Sequence, residues 1–436
     1  MGIKNTTTGG RTLKLLGVGA RTFARTVIKN LPIGGDKAER SLQYWTDVGA
    51  DMAKTLGDLR GAAMKLGQLA SQYSDVLPPA LAQQLKLLQR SVTPLPFAEI
   101  EPLLQAQWTA QQRQAVRHIE PAAMAAASIG QVHRATLSQG EPVVIKVRYP
   151  GVREAVDADL SQLRRLIAAS KLLPVDDAAM DRLMAEVRAR FREETDYAAE
   201  LVHLQHLRAA ASLPGIVYAT PVTALCTDGI LVMSEEPGES LDTAATWAPA
   251  LRSTLGTTLC HWIAHGMFVA RAVHADPHAG NFAFRDDGSV VVYDMGCVKD
   301  VPEAVVQQVR LLLAAALRSD WQGLHTALIA LDGVSATAPL AKVQELYVDF
   351  TTVLVSHLLA EDQFDFGASG FIEDVRRVGR KHLMQSFKFQ PVSDLIFVMR
   401  ALGGLYWILR SLKAVVPVRA VLAAQGFDTP PLSPPP

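Results

Sequence analysis

The sequence predicts an α+β protein in which a β-rich part lies between helical parts, and three observations predict it. Apolar residues recur every three or four positions across residues 38–90, the spacing of an amphipathic helix. Two short runs with β-branched residues, 132–137 and 142–147, flank the polar turn SQGE and predict a strand hairpin. Beyond residue 244 nearly all of the chain returns to helical spacing, except residues 274–296.

The order of the remaining elements follows from chain breakers and short apolar runs. Residues 93–97 (TPLPF) predict an extended break, and 98–108 predict a short helix. Helical spacing resumes over 151–211. Two further apolar runs, 216–222 and 229–235, predict a second strand pair.

Composition describes an ordinary globular protein long enough to bury a large core. Its 436 residues are 49% hydrophobic, and 43 basic residues balance 43 acidic ones. Without a basic excess, no nucleic-acid partner is expected. The cysteines lack the CxxC spacing of a zinc site, so we expect unpaired thiols in a reducing compartment. They are Cys226, Cys260 and Cys297.

The two ends of the chain differ in character from its middle. Residues 1–35 carry six basic residues and no acidic one, among apolar side chains. Such a segment predicts contact with an anionic membrane surface, an organelle transit peptide, or a solvated arm, and these alternatives stay open. Residues 429–436 form a proline-rich tail.

No run of about twenty uninterrupted apolar residues occurs, so a membrane-spanning helix is not expected. The longest apolar stretch, 395–416, is interrupted by Arg400 and Arg410, which favours a buried or interfacial helix. We therefore expect a cytoplasmic protein, with attachment to the periphery of a bacterial inner membrane and organelle import left open.

Residues 274–296 contain the side chains that carry chemistry. Asp276 and Asn281 have the D-x-x-x-x-N spacing that places a carboxylate and an amide on one loop. Asp294 follows the apolar run SVVVY and precedes Met295 and Gly296, as a metal-binding aspartate follows a strand in kinases. Lys146, in the strand pattern VVIKV, supplies a cation for phosphates. Together these predict a two-lobed protein-kinase-like fold that uses ATP and Mg²⁺ or Mn²⁺.

Two pairs of histidines at i, i+4 have the spacing of metal ligands on a helix. They are His261 with His265, and His274 with His278. No third ligand is evident for His261 and His265, so we interpret them as packing residues. In the motif at 274–281 we interpret His274 as a structural loop histidine and His278 as a residue that supports the site from outside it.

Five further motifs are MKLGQLASQYSDVLPPALAQQLKLLQ at 64–89, AAASIGQVHRA at 125–135, VVIKVRYPGV at 143–152, EETDYAAE at 193–200 and HADPHAGN at 274–281. With these motifs the chain resembles the UbiB family of atypical protein-kinase-like proteins, also called the AarF family. The resemblance covers roughly residues 45–300. Met295 departs from the phenylalanine that usually follows the metal-binding aspartate, and Met is a flexible packing substitute.

The resemblance implies a role for each matching residue. Lys146 binds the nucleotide and Glu200 is its ion-pair partner. Asp276 belongs to the catalytic loop, while Asn281 and Asp294 hold the metal.

The family's Lys-x-Gly-Gln motif implies a further contact. Lys65 and Gln68 lie three residues apart, on one helical face, and are expected to meet Glu194 and Asp196. In this family the helical extension covers the place where a protein substrate would dock, so phosphorylation of proteins is not expected.

An alanine-rich segment stands where other kinases have a glycine-rich loop. Alanine restricts both close approach to phosphates and positive φ, so nucleotide binding should differ from that of ordinary kinases. The predicted ATP-contacting residues are Ala125, Ala126, Ala127, Ser128, Lys146 and Glu235.

The predicted domains are a basic N-terminal segment, a helical extension, a kinase-like N-lobe, a helical C-lobe and a proline-rich tail. Their bounds are 1–37, 38–114, 115–238, 239–425 and 426–436. The resemblance implies ATPase activity in support of isoprenoid quinone biosynthesis or related lipid metabolism, with a lipid or quinone precursor as a partner. Two alternatives stay open: a small-molecule kinase of the aminoglycoside or choline type, and a nucleotide-sensing, lipid-binding scaffold without turnover. The oligomeric state is left open.

Overall fold

The computed structural model describes residues 94–126, 129–153, 157, 160–161, 164, 177–210, 213–368, 370–382, 393–427 and 429. The predictions for the basic N-terminal segment, for the helices of 38–90 and for most of the proline-rich tail lie outside these residues. The fold is α+β and kinase-like, as the sequence predicts.

The chain divides into two compact units. The first contains the residues up to Ala199 together with Val222–Ser234, and the second contains Glu200–Pro221 and Glu235–Pro436. The predicted domain bounds, with the N-lobe ending at residue 238, stay a prediction.

The described α-helices occur in both units, and most of them belong to the second. They are α1 (Phe97–Gln107), α2 (Ala110–Gln114), α3 (Asp177–Glu194), α4 (Tyr197–Ala209), α5 (Leu241–Ala244), α6 (Pro249–His265), α7 (Glu303–Leu317), α8 (Trp321–Ala330), α9 (Gln344–Leu358), α10 (Phe371–Lys381), α11 (Ser393–Leu412) and α12 (Val418–Ala423).

The described strands are mostly short. They are β1 (Val116–Ala126), β2 (Gly130–Leu137), β3 (Pro142–Arg148), β4 (Ile216–Tyr218), β5 (Ile230–Ser234), β6 (Ala272–His274), β7 (Phe282–Phe284), β8 (Val290–Val292), β9 (Val298–Asp300), β10 (Phe364–Asp365) and β11 (Val415–Val416). They form sheets of order β1-β2-β3-β5, β4-β8-β7, β6-β9 and β10-β11.

The first unit is built on the four-stranded antiparallel sheet. The predicted hairpin is confirmed as β2 and β3, joined by a turn in which Gly140 adopts φ 98°, a conformation that favours glycine. In β3, Lys146 lies between Val132 of β2 and Leu231 of β5. The sheet buries Ile145 and Val147 completely, and they share a core with α1.

Strand β1 was not predicted, because its sequence VRHIEPAAMAA contains alanines and a proline, which strands disfavour. It is an edge strand, and its pairing with β2 shifts register between Ile119 and Ala123, on either side of Pro121. Proline is tolerated there because an edge strand does not need every N–H. Two residues of the alanine-rich segment, expected in the place of a glycine-rich loop, are therefore not loop residues: Ala125 and Ala126 are the last residues of β1 and pair with Val132 and Gln131.

The predicted pairing of 216–222 with 229–235 is wrong. Both runs contain strands, but β4 pairs in parallel with β8 and β5 pairs antiparallel with β3. Each strand takes its partner from a distant part of the chain, so closeness in sequence does not set the pairing.

In the second unit, helix α11 confirms the helical prediction for residues 395–412 of the apolar stretch, whereas Val415 and Val416 form β11. The buried face of α11 includes Phe397, Ala401, Leu405 and Leu409, at the four-residue spacing of one helical face. Within the described parts of the chain, none of the helices combines the length and the hydropathy that crossing a bilayer would require.

Candidate functional site

The segment 272–281 of the second unit begins as a strand and continues as the predicted catalytic loop. β6 pairs antiparallel with β9, and the Ala275 amide donates to the Cys297 carbonyl at 2.8 Å. Val273 and Ala275 are buried in the core below. The loop therefore starts from a fixed backbone.

His274 links the backbones of Asp276 and Asp294, and it is only 2% exposed. Its Nε2 donates to the Asp294 carbonyl at 2.8 Å, and its Nδ1 accepts from the Asp276 amide at 3.3 Å. Burial lowers the pKa of His274, against an opposing effect of the Asp294 charge, so the ring is neutral at pH 7. The interpretation of His274 as a loop-supporting residue is confirmed.

Asn281 and Asp294 come together through the pairing of β7 with β8. Phe282 lies opposite Val292, and one residue further along, the Tyr293 amide donates to the Asn281 carbonyl at 2.9 Å. The Asn281 side-chain amide donates to the Asp276 carbonyl at 3.1 Å. The fourteen residues from Asn281 to Asp294 thus form a hairpin that returns the chain to the loop.

The backbone after Asp294 is fixed from two directions. The Gly296 amide donates to Asp294 Oδ1 at 2.8 Å. The Met295 amide donates to Glu200 Oε1 at 3.4 Å, and both Met295 and Glu200 are buried. Met295 fills the packing position predicted for it, with 1% of its surface exposed.

Asp276 has a neighbour that the sequence does not reveal. Arg400 of α11 places Nη2 3.5 Å from Asp276 Oδ1, and the two side chains are 21% and 24% exposed. The residues are 124 positions apart. The available signal was an arginine interrupting an apolar helix, which indicated burial or an interface and did not indicate a partner.

The donor set on this loop fits a hard divalent cation. The Asn281 side chain uses its nitrogen toward Asp276, which leaves its oxygen as the ligand atom, and Asp294 adds a carboxylate. Amide and carboxylate oxygens are the ligands that Mg²⁺ prefers, and Mn²⁺ accepts the same donors.

In the first unit, Lys146 is half-buried on β3. Its Nζ lies 5.0 Å from the centroid of the Tyr197 ring, within the range of a cation–π contact. Lys146 lies in the first unit and Glu200 lies in the second. The ion pair between them stays a prediction.

Asp196 has a local role that the sequence did not predict. Its Oδ1 accepts from the Ala199 amide at 3.0 Å, as the cap of α4, and its carboxylate lies 3.8 Å from Arg153. Glu194 is half-buried at the end of α3, and Glu235 is half-buried directly after β5. Lys65, Gln68, Ala127 and Ser128 lie outside the described residues, so their contacts stay predictions.

Known proteins similar to this chain agree with the kinase-like reading of the fold. The family of the ABC1 atypical kinase-like domain matches residues 87–328. The chain is 26% identical over 364 residues to "Atypical kinase COQ8, mitochondrial" of Saccharomyces cerevisiae, covering 82% of this chain and 72% of that protein. It is 26% identical over 413 residues to "Atypical kinase COQ8B, mitochondrial" of Rattus norvegicus, covering 93% and 77%.

A solved structure shows the same fold. It is the complex of Rv3197 from Mycobacterium tuberculosis with erythromycin, with a TM-score of 0.61 and 22% sequence identity. The likeness covers 88% of this chain and 97% of the solved one.

Proposed function

Because this chain belongs to the family of the ABC1 atypical kinase-like domain, we propose that it binds ATP with Mg²⁺ or Mn²⁺ and hydrolyses it, in support of isoprenoid quinone biosynthesis or related lipid metabolism. The observation that carries the proposal is the arrangement of Asp276, Asn281 and Asp294. One buried histidine and one strand pairing fix the backbone of all three.

Each side chain has a chemical task in this proposal. Asp276 accepts the proton of the attacking water or hydroxyl group. Asn281 and Asp294 hold Mg²⁺, which supplies charge neutralisation at the phosphates. Lys146 binds phosphate oxygens from the first unit, with Glu200 as its ion-pair partner.

The alanine-rich segment and the extension refine this proposal. Ala125, Ala126, Ala127, Ser128 and Glu235 contact the nucleotide, and Lys65 with Gln68 controls access through Glu194 and Asp196. Ala125 and Ala126 lie in a strand, where the backbone is less free to approach phosphates than a glycine loop. This supports nucleotide binding that differs from that of kinases with a glycine-rich loop.

The metabolic role and the partners rest on similarity. The related yeast and rat proteins are named as mitochondrial atypical kinases, and the sequence resembles the UbiB family. We propose a lipid or quinone precursor as the partner, with the basic residues of 1–35 contacting an anionic membrane surface.

The test separates the two aspartates. Asp294→Asn removes a charge from the metal site and should abolish the Mg²⁺-dependent stabilisation by ATP, which reaches about 2.7 kcal/mol at a hundredfold excess over Kd. Asp276→Asn should keep most of that stabilisation and lose turnover by about 10²- to 10⁴-fold. Thermal-shift titrations with Mg-ATP and an ATPase assay measure both effects.

Asp286→Asn is the matched control, because Asp286 is exposed in the turn between β7 and β8. It undergoes the same chemical change in the same segment and should alter neither binding nor turnover. If Asp294→Asn binds Mg-ATP normally, the metal assignment is wrong. If wild-type protein binds Mg-ATP without turnover, with or without liposomes and quinone-like phenols, the scaffold alternative replaces the ATPase.

A further inference from the structure

Helix α11 is built into the core beneath the candidate catalytic loop. Phe397 and Ala401 belong to the same buried cluster as Val273 and Ala275, which lie in and directly after β6. At the other end of the helix, Arg252 of α6 donates from Nη1 to the Leu412 carbonyl at 3.0 Å. The helix is therefore anchored along its length and can transmit a fixed position to the loop.

Gly404 allows α11 to contact the loop backbone. A Cβ at this position would overlap the Pro277 carbonyl oxygen and lie 2.9 Å from Pro277 Cγ. The obstructing atom belongs to the backbone, so no side-chain rotation relieves it. The neighbouring Gly403 is different, because a Cβ there would meet nothing within 4 Å.

Arg400 contacts the same loop from the same side of the helix. It precedes Gly404 by four residues, the spacing at which helical residues are neighbours. Its Nη2 lies 3.5 Å from Asp276 Oδ1. One helix face thus meets two consecutive loop residues, Pro277 through its backbone and Asp276 through its carboxylate.

We propose that this face of α11 is the positioning element of the loop, with Gly404 setting the approach to Pro277 and Arg400 orienting the Asp276 carboxylate. The effect on turnover rests on the proposed function, whereas the effect on loop order does not. Fixing a carboxylate in this way matters because a displacement of about 1 Å at a reacting group can cost about 10²-fold in rate.

The glycine pair gives a matched experiment. Gly404→Ala and Gly403→Ala add the same methyl group and gain the same helix propensity, but only the former meets the loop. Hydrogen exchange followed by mass spectrometry should show the peptide covering 276–284 exchanging at least about tenfold faster in Gly404→Ala, and unchanged in Gly403→Ala. The kcat for ATP hydrolysis should fall at least about tenfold in Gly404→Ala alone, while KM for ATP stays within about twofold.

Arg400 is tested through its partner. Arg400→Gln should lower kcat at least about tenfold, and Arg400→Lys should retain most of it because the charge remains. In an Asp276→Asn background, Arg400→Gln should cost less than about twofold, since a residue that acts through Asp276 has nothing left to orient. This arm stays decisive if Gly404→Ala fails to fold.

Three results would overturn the positioning role: equal exchange in the two glycine variants, equal loss of kcat in both, or an Arg400→Gln effect that persists in full without Asp276. A different result separates the two hypotheses. If Gly404→Ala speeds loop exchange but Asp276→Asn hydrolyses ATP at the original rate, α11 positions the loop as proposed and the ATPase assignment is wrong.

Discussion

Two regions of this protein contain aspartates that hydrogen bonds fix in place, one set of bonds being buried and the other exposed to solvent. In the second unit, His274 is 2% exposed and bonds to the backbones of Asp276 and Asp294. In the first unit, Asp196 caps α4 with a side chain that is 36% exposed, and it lies 3.8 Å from Arg153, whose side chain is 43% exposed.

The difference shows which part of the backbone the fold fixes more strictly. A buried polar group that loses its partner costs the full penalty of desolvation, so the His274 bonds strictly specify the loop backbone. An exposed ion pair is screened by water and contributes about 0–1 kcal/mol. The loop should therefore respond sharply to substitution, and the start of α4 should respond weakly.

The largest expected effect is at His274. His274→Ala leaves a cavity and removes the partners of the Asp276 amide and the Asp294 carbonyl. It should lower the free energy of unfolding by about 3 kcal/mol or more. Urea denaturation measures it. His278→Ala is the control, because His278 is exposed and its Nδ1 accepts from the nearby Gly280 amide at 3.1 Å, a contact within the same loop. Equal losses in both variants would contradict the importance of burial.

An intermediate effect is expected at Gly130 of the first unit, where backbone atoms leave no room for a side chain. A Cβ there would overlap the Val147 carbonyl oxygen and lie 2.7 Å from the Tyr197 hydroxyl. Gly130→Ala should destabilise the protein by about 1–3 kcal/mol through overpacking.

Gly379→Ala is the control for that variant. Gly379 lies in helix α10, and a Cβ there would meet nothing within 4 Å. It should be neutral or stabilising by up to about 1 kcal/mol. A Gly130→Ala protein as stable as wild type would show that strands β2 and β3 can shift to admit the methyl group.

The smallest expected effect is at the α4 cap. Asp196→Ala removes the acceptor for the Ala199 amide and should cost about 1 kcal/mol. Asp196→Asn keeps an acceptor oxygen and should cost only a few tenths of that, since the two residues cap helices about equally well. Chemical denaturation at low and high salt compares them. Equal losses for Asn and Ala would mean that the charge toward Arg153 matters more than the cap.

The sequence alone determined those features whose causes are local. The hairpin of β2 and β3 followed from alternating apolar residues around a polar turn, and the loop with Asp276, Asn281 and Asp294 followed from fixed spacings around one strand. In both places the chain pairs with itself over a short separation, so residue order and spatial order coincide.

Only the tertiary structure decided the features that override local propensity or join distant segments. Strand β1 exists because β2 pairs with it despite its alanines and Pro121, and β4 and β5 take their partners from different sheets. The contact of Arg400 with Asp276 spans 124 positions and that of Glu200 with Met295 spans 95. Local propensity carries no record of such partners, because burial and pairing energies that arise after the chain folds outweigh the smaller preferences of single residues.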